Sequence, residues 1–167
     1  PDKKKIVNCL DLMKVRGPDN QNFISKNVGD FKLVMLHSRL SIIDPIDTSN
    51  QPMEDKDGIL SFNGEIYNYI EIKRKLSNLK FKTFSDTEVL LKYINKYKLD
   101  LKHLDGMWAF SYFDKNLKDF YLVTDRFNEK PIYFYKTENF IFYGSSPSYV
   151  FSLANINKNI NDEKISN

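Results

Sequence analysis

Gly106-Met107-Trp108-Ala109-Phe110-Ser111-Tyr112-Phe113 opens a series of aromatic-rich runs that decides the fold class. Residues 120–123, 132–135 and 140–143 continue it, and Asp114-Lys115-Asn116, Asn128-Glu129-Lys130 and Thr137-Glu138-Asn139 separate the runs. Aromatic and β-branched side chains suit a pleated surface, and Asn and Asp suit turns, so the spacing predicts consecutive antiparallel strands. Upstream, Ile66, Tyr69, Ile70, Ile72 and Leu76 recur at helical spacing and predict an amphipathic helix over 65–79. Ser85 followed by Glu88 reads as a capping box: the hydroxyl caps the helix start and Glu88 reaches back to the cap's own amide. Val89, Leu90, Leu91 and Ile94 then give that second helix its apolar face.

Further toward the N-terminus, residues 58–62 read as a short strand and residues 31–44 as one long strand or two joined by a bend. Ile6, Cys9, Leu10 and Met13 mark a first helix that ends near residue 15, where Arg16-Gly17-Pro18-Asp19 breaks the pattern. A short helix is expected over 147–153. Helices grouped between strand groups indicate an α+β fold with antiparallel sheets rather than alternating parallel units.

The 167 residues, 41% hydrophobic, suffice for one sizeable core. The 25 basic and 22 acidic residues are interspersed, so the net charge of +3 is a weak argument for nucleic acid, and no nucleic-acid partner is expected. A single cysteine excludes an internal disulfide, and no apolar run is long enough for a bilayer. The expectation is therefore a cytoplasmic protein without a membrane partner. His37 and His103 have no second ligand at metal-binding spacing, so no metal site is expected, and no glycine-rich phosphate loop is present. The chain starts at Pro1 and residues 155–167 are polar, which reads as a piece cut from a longer polypeptide.

Three places carry candidate chemistry. Arg39 stands in an apolar run, where a guanidinium needs a partner: either an acidic residue of the same chain or an anionic ligand. Asn63-Gly64-Glu65 reads as the link from a strand into a helix, where it is either an ordinary turn or a set of amides aimed at negative charge. Asp86, the first residue after the Ser85 cap, either meets the helix dipole or pairs with an ammonium group on a ligand. Cys9 lies on the apolar side of the first helix and reads as core.

Taken together, Arg16 to Asp19, His37 to Asp44, Gln51-Pro52-Met53, Asn63 to Tyr69, Ser85 to Glu88, Gly106 to Phe110 and Asp125-Arg126-Phe127 with Glu129-Lys130-Pro131 resemble the glutaminase domain of glutamine-hydrolysing asparagine synthetases. The resemblance implies a four-layer αββα sandwich of the N-terminal-nucleophile hydrolase type over 1–153. It also implies that 154–167 begin a linker toward a synthetase domain of the same polypeptide. It gives Arg39 the α-carboxylate of glutamine and Asp86 the α-ammonium. By the same resemblance Asn63 and Gly64 would form the oxyanion hole, and Glu65 with the backbone of Leu40, Ser41, Ile42 and Ile43 would line the pocket.

In that family the nucleophile is a cysteine at the mature N-terminus, with its own α-amino group as base. The expectation is that this piece is absent from the chain and that the chain alone is inactive. No cofactor is expected for this domain; ATP and Mg belong to the synthetase domain, and a homodimer is left open. Thr124, Asn128 and Ser146 depart from the family's usual arginine, glycine and glutamate, which puts the turn near 128 in doubt. Rival readings are a catalytically inactive scaffold or binding module, and another class II amidotransferase.

Overall fold

The computed structural model describes residues 2–156; Pro1 and residues 157–167, and with them most of the expected linker, lie outside the described residues. Helix α1 (Lys3–Met13) starts at Asp2, whose carboxylate accepts from the Lys5 amide at 2.9 Å, and it buries Ile6 and Cys9. A hairpin follows, β1 (Asn20–Val28) with β2 (Phe31–Arg39), turning at Gly29, whose φ of 57° suits glycine. The sequence reading missed β1. None of its residues is fully buried, so hydrogen bonds to β2 hold it in place and no apolar alternation marks it. Strand β2 also stops at Arg39, and residues 40–44 leave the sheet instead of extending it.

Four strands make the central sheet, in the order β3 (Met53–Glu54), β4 (Gly58–Ile66), β5 (Gly106–Asp114) and β6 (Asp119–Thr124), all antiparallel. Asn63-Gly64-Glu65 lies inside β4, paired with Ala109, Trp108 and Met107, so the expected helix start is corrected. The helix after it, α2 (Tyr69–Lys75), is shorter than the pattern over 65–79 suggested, because the paired backbone of β4 runs on to Ile66. The aromatic runs also do not form one meander. Strands β7 (Tyr133–Lys136) and β8 (Ile141–Gly144) pair only with each other, because the loop after β6 breaks away.

That loop is built on Asp125. Its carboxylate accepts from the amides of Trp108, Phe127, Glu129 and Lys130 at 2.9 to 3.2 Å. Burial alone would raise its pKa, but those four donors outweigh it and hold the group below its ordinary value. The turn accommodates Asn128 at a φ of 54°, the left-handed region that asparagine tolerates best among side chains larger than glycine.

Helix α3 (Asp86–Tyr97) begins as expected, with Ser85 Oγ accepting from the Glu88 amide at 3.2 Å. The second half of the capping box is different. The Glu88 carboxylate accepts from the amides of Lys82 and Thr83 and from the Thr83 hydroxyl, and the Ser85 amide donates to Thr83 Oγ1 instead. Glu88 thereby ties down the loop before the helix.

The strand period of two divides β4 between two cores. Leu60, Phe62 and Ile66 face α2 and α3, packing with Ile72, Leu76, Leu90, Leu91 and Ile94. Ile59 points the other way and meets Leu33 and Met35 of the β1–β2 hairpin, together with Phe113. Helix α4 (Pro147–Ala154) packs on α1, β7 and β8. The result is an α+β fold with antiparallel sheets and, among the described residues, four α-helices. No described helix is long and apolar enough to cross a membrane. Leu91 is 1% exposed in the larger core. Leu91→Ala should therefore cost about 2 to 5 kcal/mol, read as a lowered urea midpoint.

Candidate functional site

The alternation that sends Leu60, Phe62 and Ile66 into the helix-side core sends Ser61, Asn63 and Glu65 to the opposite face of β4. A cleft of about 1100 Å³ opens there, between the central sheet, β2 and the β7–β8 pair. Arg39, Asn63, Gly64, Glu65 and Asp86 all line it, with Leu40, Ile42 and Ile43 from the loop after β2. Ser41 is not among the lining residues; its amide donates to the Asp19 carboxylate at 2.7 Å, which fixes the loop to the turn before β1.

Arg39 is 6% exposed, yet among the described residues no carboxylate lies within ion-pair distance of it. The intramolecular ion pair is thus corrected. Nη1 donates to Ile46 O and Asn50 Oδ1 at 3.1 and 2.9 Å, and Nη2 to Ile43 O and Asp44 O at 3.0 and 2.6 Å. These neutral acceptors satisfy the terminal N–H groups but leave the positive charge uncompensated. An anion entering the cleft meets a desolvated cation.

Asp86 sits on the first residue of α3, and its Oδ2 accepts from the Ile66 amide at 3.1 Å, joining the helix start to the end of β4. Burial, assisted by the negative charge of Glu65, raises its pKa against the amide donors of Ile66 and Thr87. Gly64 has a φ of +149°, and a Cβ on it would lie 2.1 Å from the carbonyl oxygen of Met107. Glycine is required here because the neighbouring strand β5 comes so close.

Sequence reasoning assigned no role to Gln51 or His37. Gln51 is buried, accepts from the Phe62 amide at 2.7 Å and donates to Thr87 Oγ1 at 3.3 Å, bridging β4 and α3 beneath the site. Buried amides often work as such bridges, but nothing in the local pattern marks this one. His37 is 3.2 Å from Phe62 O through Nε2, while its Nδ1 is buried without a protein partner. Burial, opposed by the bond to Phe62 and reinforced by Arg39, lowers its pKa to about 4, so it is neutral at neutral pH. Cys9 is 1% exposed with Sγ 4.0 Å from Tyr149 O, and burial pushes its thiol up to about 11, which keeps it protonated and unreactive.

The α+β scaffold gathers a buried arginine, a buried aspartate and an Asn-Gly pair in one cleft. The model of the glutamine amidotransferase domain matches residues 1–167, and the chain belongs to that family. A Methanocaldococcus jannaschii protein, provisionally named asparagine synthetase (glutamine-hydrolyzing) 2, is 36% identical over 98% of this chain and 35% of its own length. Asparagine synthetases (glutamine-hydrolyzing) 2 and 1 of Bacillus subtilis are 34% and 36% identical over 85% and 86% of this chain. The chain spans between 19% and 35% of the length of these relatives.

Because the folded pKa of Asp86 is raised, the stability linked to it is complete below the unfolded value, about 3.9, and is lost as pH rises through the folded value. Asp86→Asn should accordingly be more stable than the parent at neutral pH without ligand. Urea unfolding across pH should show the gap closing as pH falls toward about 4.

Proposed function

We propose that the intact protein is a glutamine-hydrolysing asparagine synthetase, and that this chain supplies its glutamine pocket. In this reading Arg39 takes the α-carboxylate of glutamine, exchanging carbonyl acceptors of its own loop for a charged one, and Asp86 takes the α-ammonium. The observation that carries the reading is the uncompensated buried charge of Arg39 in the same cleft as buried Asp86. A cation and an anion facing one cavity suit an amino acid better than any singly charged ligand.

The side-chain amide of Asn63 and the backbone amide of Gly64 would stabilise the oxyanion formed when a thiolate attacks the glutamine carboxamide. Glu65 and the backbone of residues 40–43 line the rest. In the family the thiolate comes from an N-terminal cysteine; collapse of the intermediate breaks the C–N bond, releases ammonia and leaves a thioester for water to cleave. The ammonia would amidate aspartate or a related carboxylate in a synthetase domain of the same polypeptide, where ATP and Mg act. The names of the relatives and the fraction of their length covered here support that division of labour.

We also read the fold as a four-layer αββα sandwich. The packing of α2 and α3 on one side of the central sheet, the hairpin β1–β2 on the other, and α1 with α4 beyond supports it.

In the full-length protein, Arg39→Ala should raise the glutamine KM by about a hundredfold, the size expected for loss of a charged hydrogen-bonded anchor, and leave ammonia-driven synthesis unchanged. An unchanged glutamine KM would overturn the assignment.

A further inference from the structure

Arg39 and Asp86 come from different elements, the end of β2 and the start of α3, and no contact joins their side chains directly. The residue between them is Asp44. Its backbone has a φ of 53°, a left-handed conformation that turns its carbonyl oxygen onto Arg39 Nη2 at 2.6 Å, the shortest of the four guanidinium contacts. Its carboxylate reaches the other way: Oδ2 accepts from the Phe84 amide at 2.7 Å and from the Ser49 hydroxyl at 2.6 Å. Phe84 immediately precedes the Ser85 cap, so the chain from Arg39 through Asp44 to Asp86 is continuous in hydrogen bonds and three residues of backbone.

The loop entering α3 has other restraints, but none of them reaches Arg39. Glu88 holds Lys82 and Thr83, and Lys73 donates to Thr83 O at 2.9 Å with its ammonium 4.8 Å from the Phe84 ring centroid. These fix the loop to the helix layer. Among the described residues, Asp44 is the side chain that ties this loop to the segment that cages the guanidinium, while Gln51, next to Asn50, meets the first turn of α3 at Thr87.

We propose that Asp44 is a positioning residue of the glutamine site, setting the separation of Arg39 and Asp86 by bonding the guanidinium through its carbonyl and the α3 entry loop through its carboxylate. The inference rests on the reading of Arg39 and Asp86 as the two ends of an amino-acid subsite. An amino acid fixes the distance between its carboxylate and its ammonium, so a few tenths of an ångström between the protein groups decide whether both engage at once. Orientation of this kind is expensive to restore once lost.

The test uses the full-length protein with L-glutamate as a binding probe, which carries both α-groups and is not turned over as an amide, followed by calorimetry. Asp44→Ala should weaken glutamate binding about tenfold, as expected for loss of an anchoring carboxylate hydrogen bond, and raise the glutamine KM similarly with ammonia-driven synthesis unchanged. Asp44→Asn should restore affinity to within about threefold, because asparagine tolerates the left-handed backbone and its amide oxygen can accept from both Phe84 and Ser49. Ser49→Ala, which removes one of the two donors, should give an intermediate loss and serves if Asp44→Ala does not fold. Arg39→Ala separates the two readings. If Arg39→Ala weakens glutamate binding but neither Asp44→Ala nor Ser49→Ala does, Asp44 is not a positioning residue; if Arg39→Ala also binds normally, the subsite itself is wrong. Loss of affinity in Asp44→Asn equal to that in Asp44→Ala would also count against the proposal.

Discussion

Strand β4 is paired along its whole length with β5, and the pleat of a strand leaves it no choice about which side each residue faces. Leu60, Phe62 and Ile66 must enter the core beneath α2 and α3 if Ser61, Asn63 and Glu65 are to reach the cleft. A slip of one residue would put Asn63 under the helices and Phe62 into the site. The register is held at several points by side chains that are themselves part of the architecture: Gln51 binds the Phe62 amide, and Asp86 binds the Ile66 amide. The site and the hydrophobic core are thus two faces of one ladder.

The second constraint is electrostatic. Removing a guanidinium from water is costly, and a carboxylate partner is the usual remedy. Here the loop after β2 folds back so that its own carbonyls and Asn50 surround Arg39. Dipoles satisfy hydrogen-bonding capacity without cancelling charge, so the cleft keeps a positive centre. Asp86 is the mirror case: its burial disfavours the ionised form, and a cation arriving in the cleft would reverse that preference. Each group is strained electrostatically in its charged form, and a group of opposite sign in the cleft would relieve it.

Much of this was legible in the sequence where pattern and chemistry agree. The Ser85 cap, the apolar face of α3, the aromatic strands β5 and β6 and the buried character of Cys9 all follow from local spacing. Strand β1 was not legible because its polar residues are held by backbone pairing with β2, which leaves no periodic signal. The Asn-Gly pair misled for a related reason. It is a turn signal in isolation, but Gly64 serves a close crossing of two strands, which depends on a residue more than forty positions away in the chain. Arg39 announced the need for a partner, yet that its partners would be main-chain carbonyls depends on the course of a loop and on one left-handed residue, Asp44. The role of Gln51 is likewise tertiary, since both of its contacts lie on other elements.

Gly64 has an evolutionary consequence. With the carbonyl of Met107 occupying the space where any Cβ would go, and a backbone angle that side chains rarely adopt, every point substitution at this position strikes the main chain of β5. Gly64 is thus a fixed point in the wall of the cleft that single mutations cannot explore. Variation in the lining of the cleft therefore falls to the residues around it, such as Asn63 and Glu65 on the strand and Leu40, Ile42 and Ile43 in the loop after β2, while the backbone at Gly64 stays where the neighbouring strand holds it.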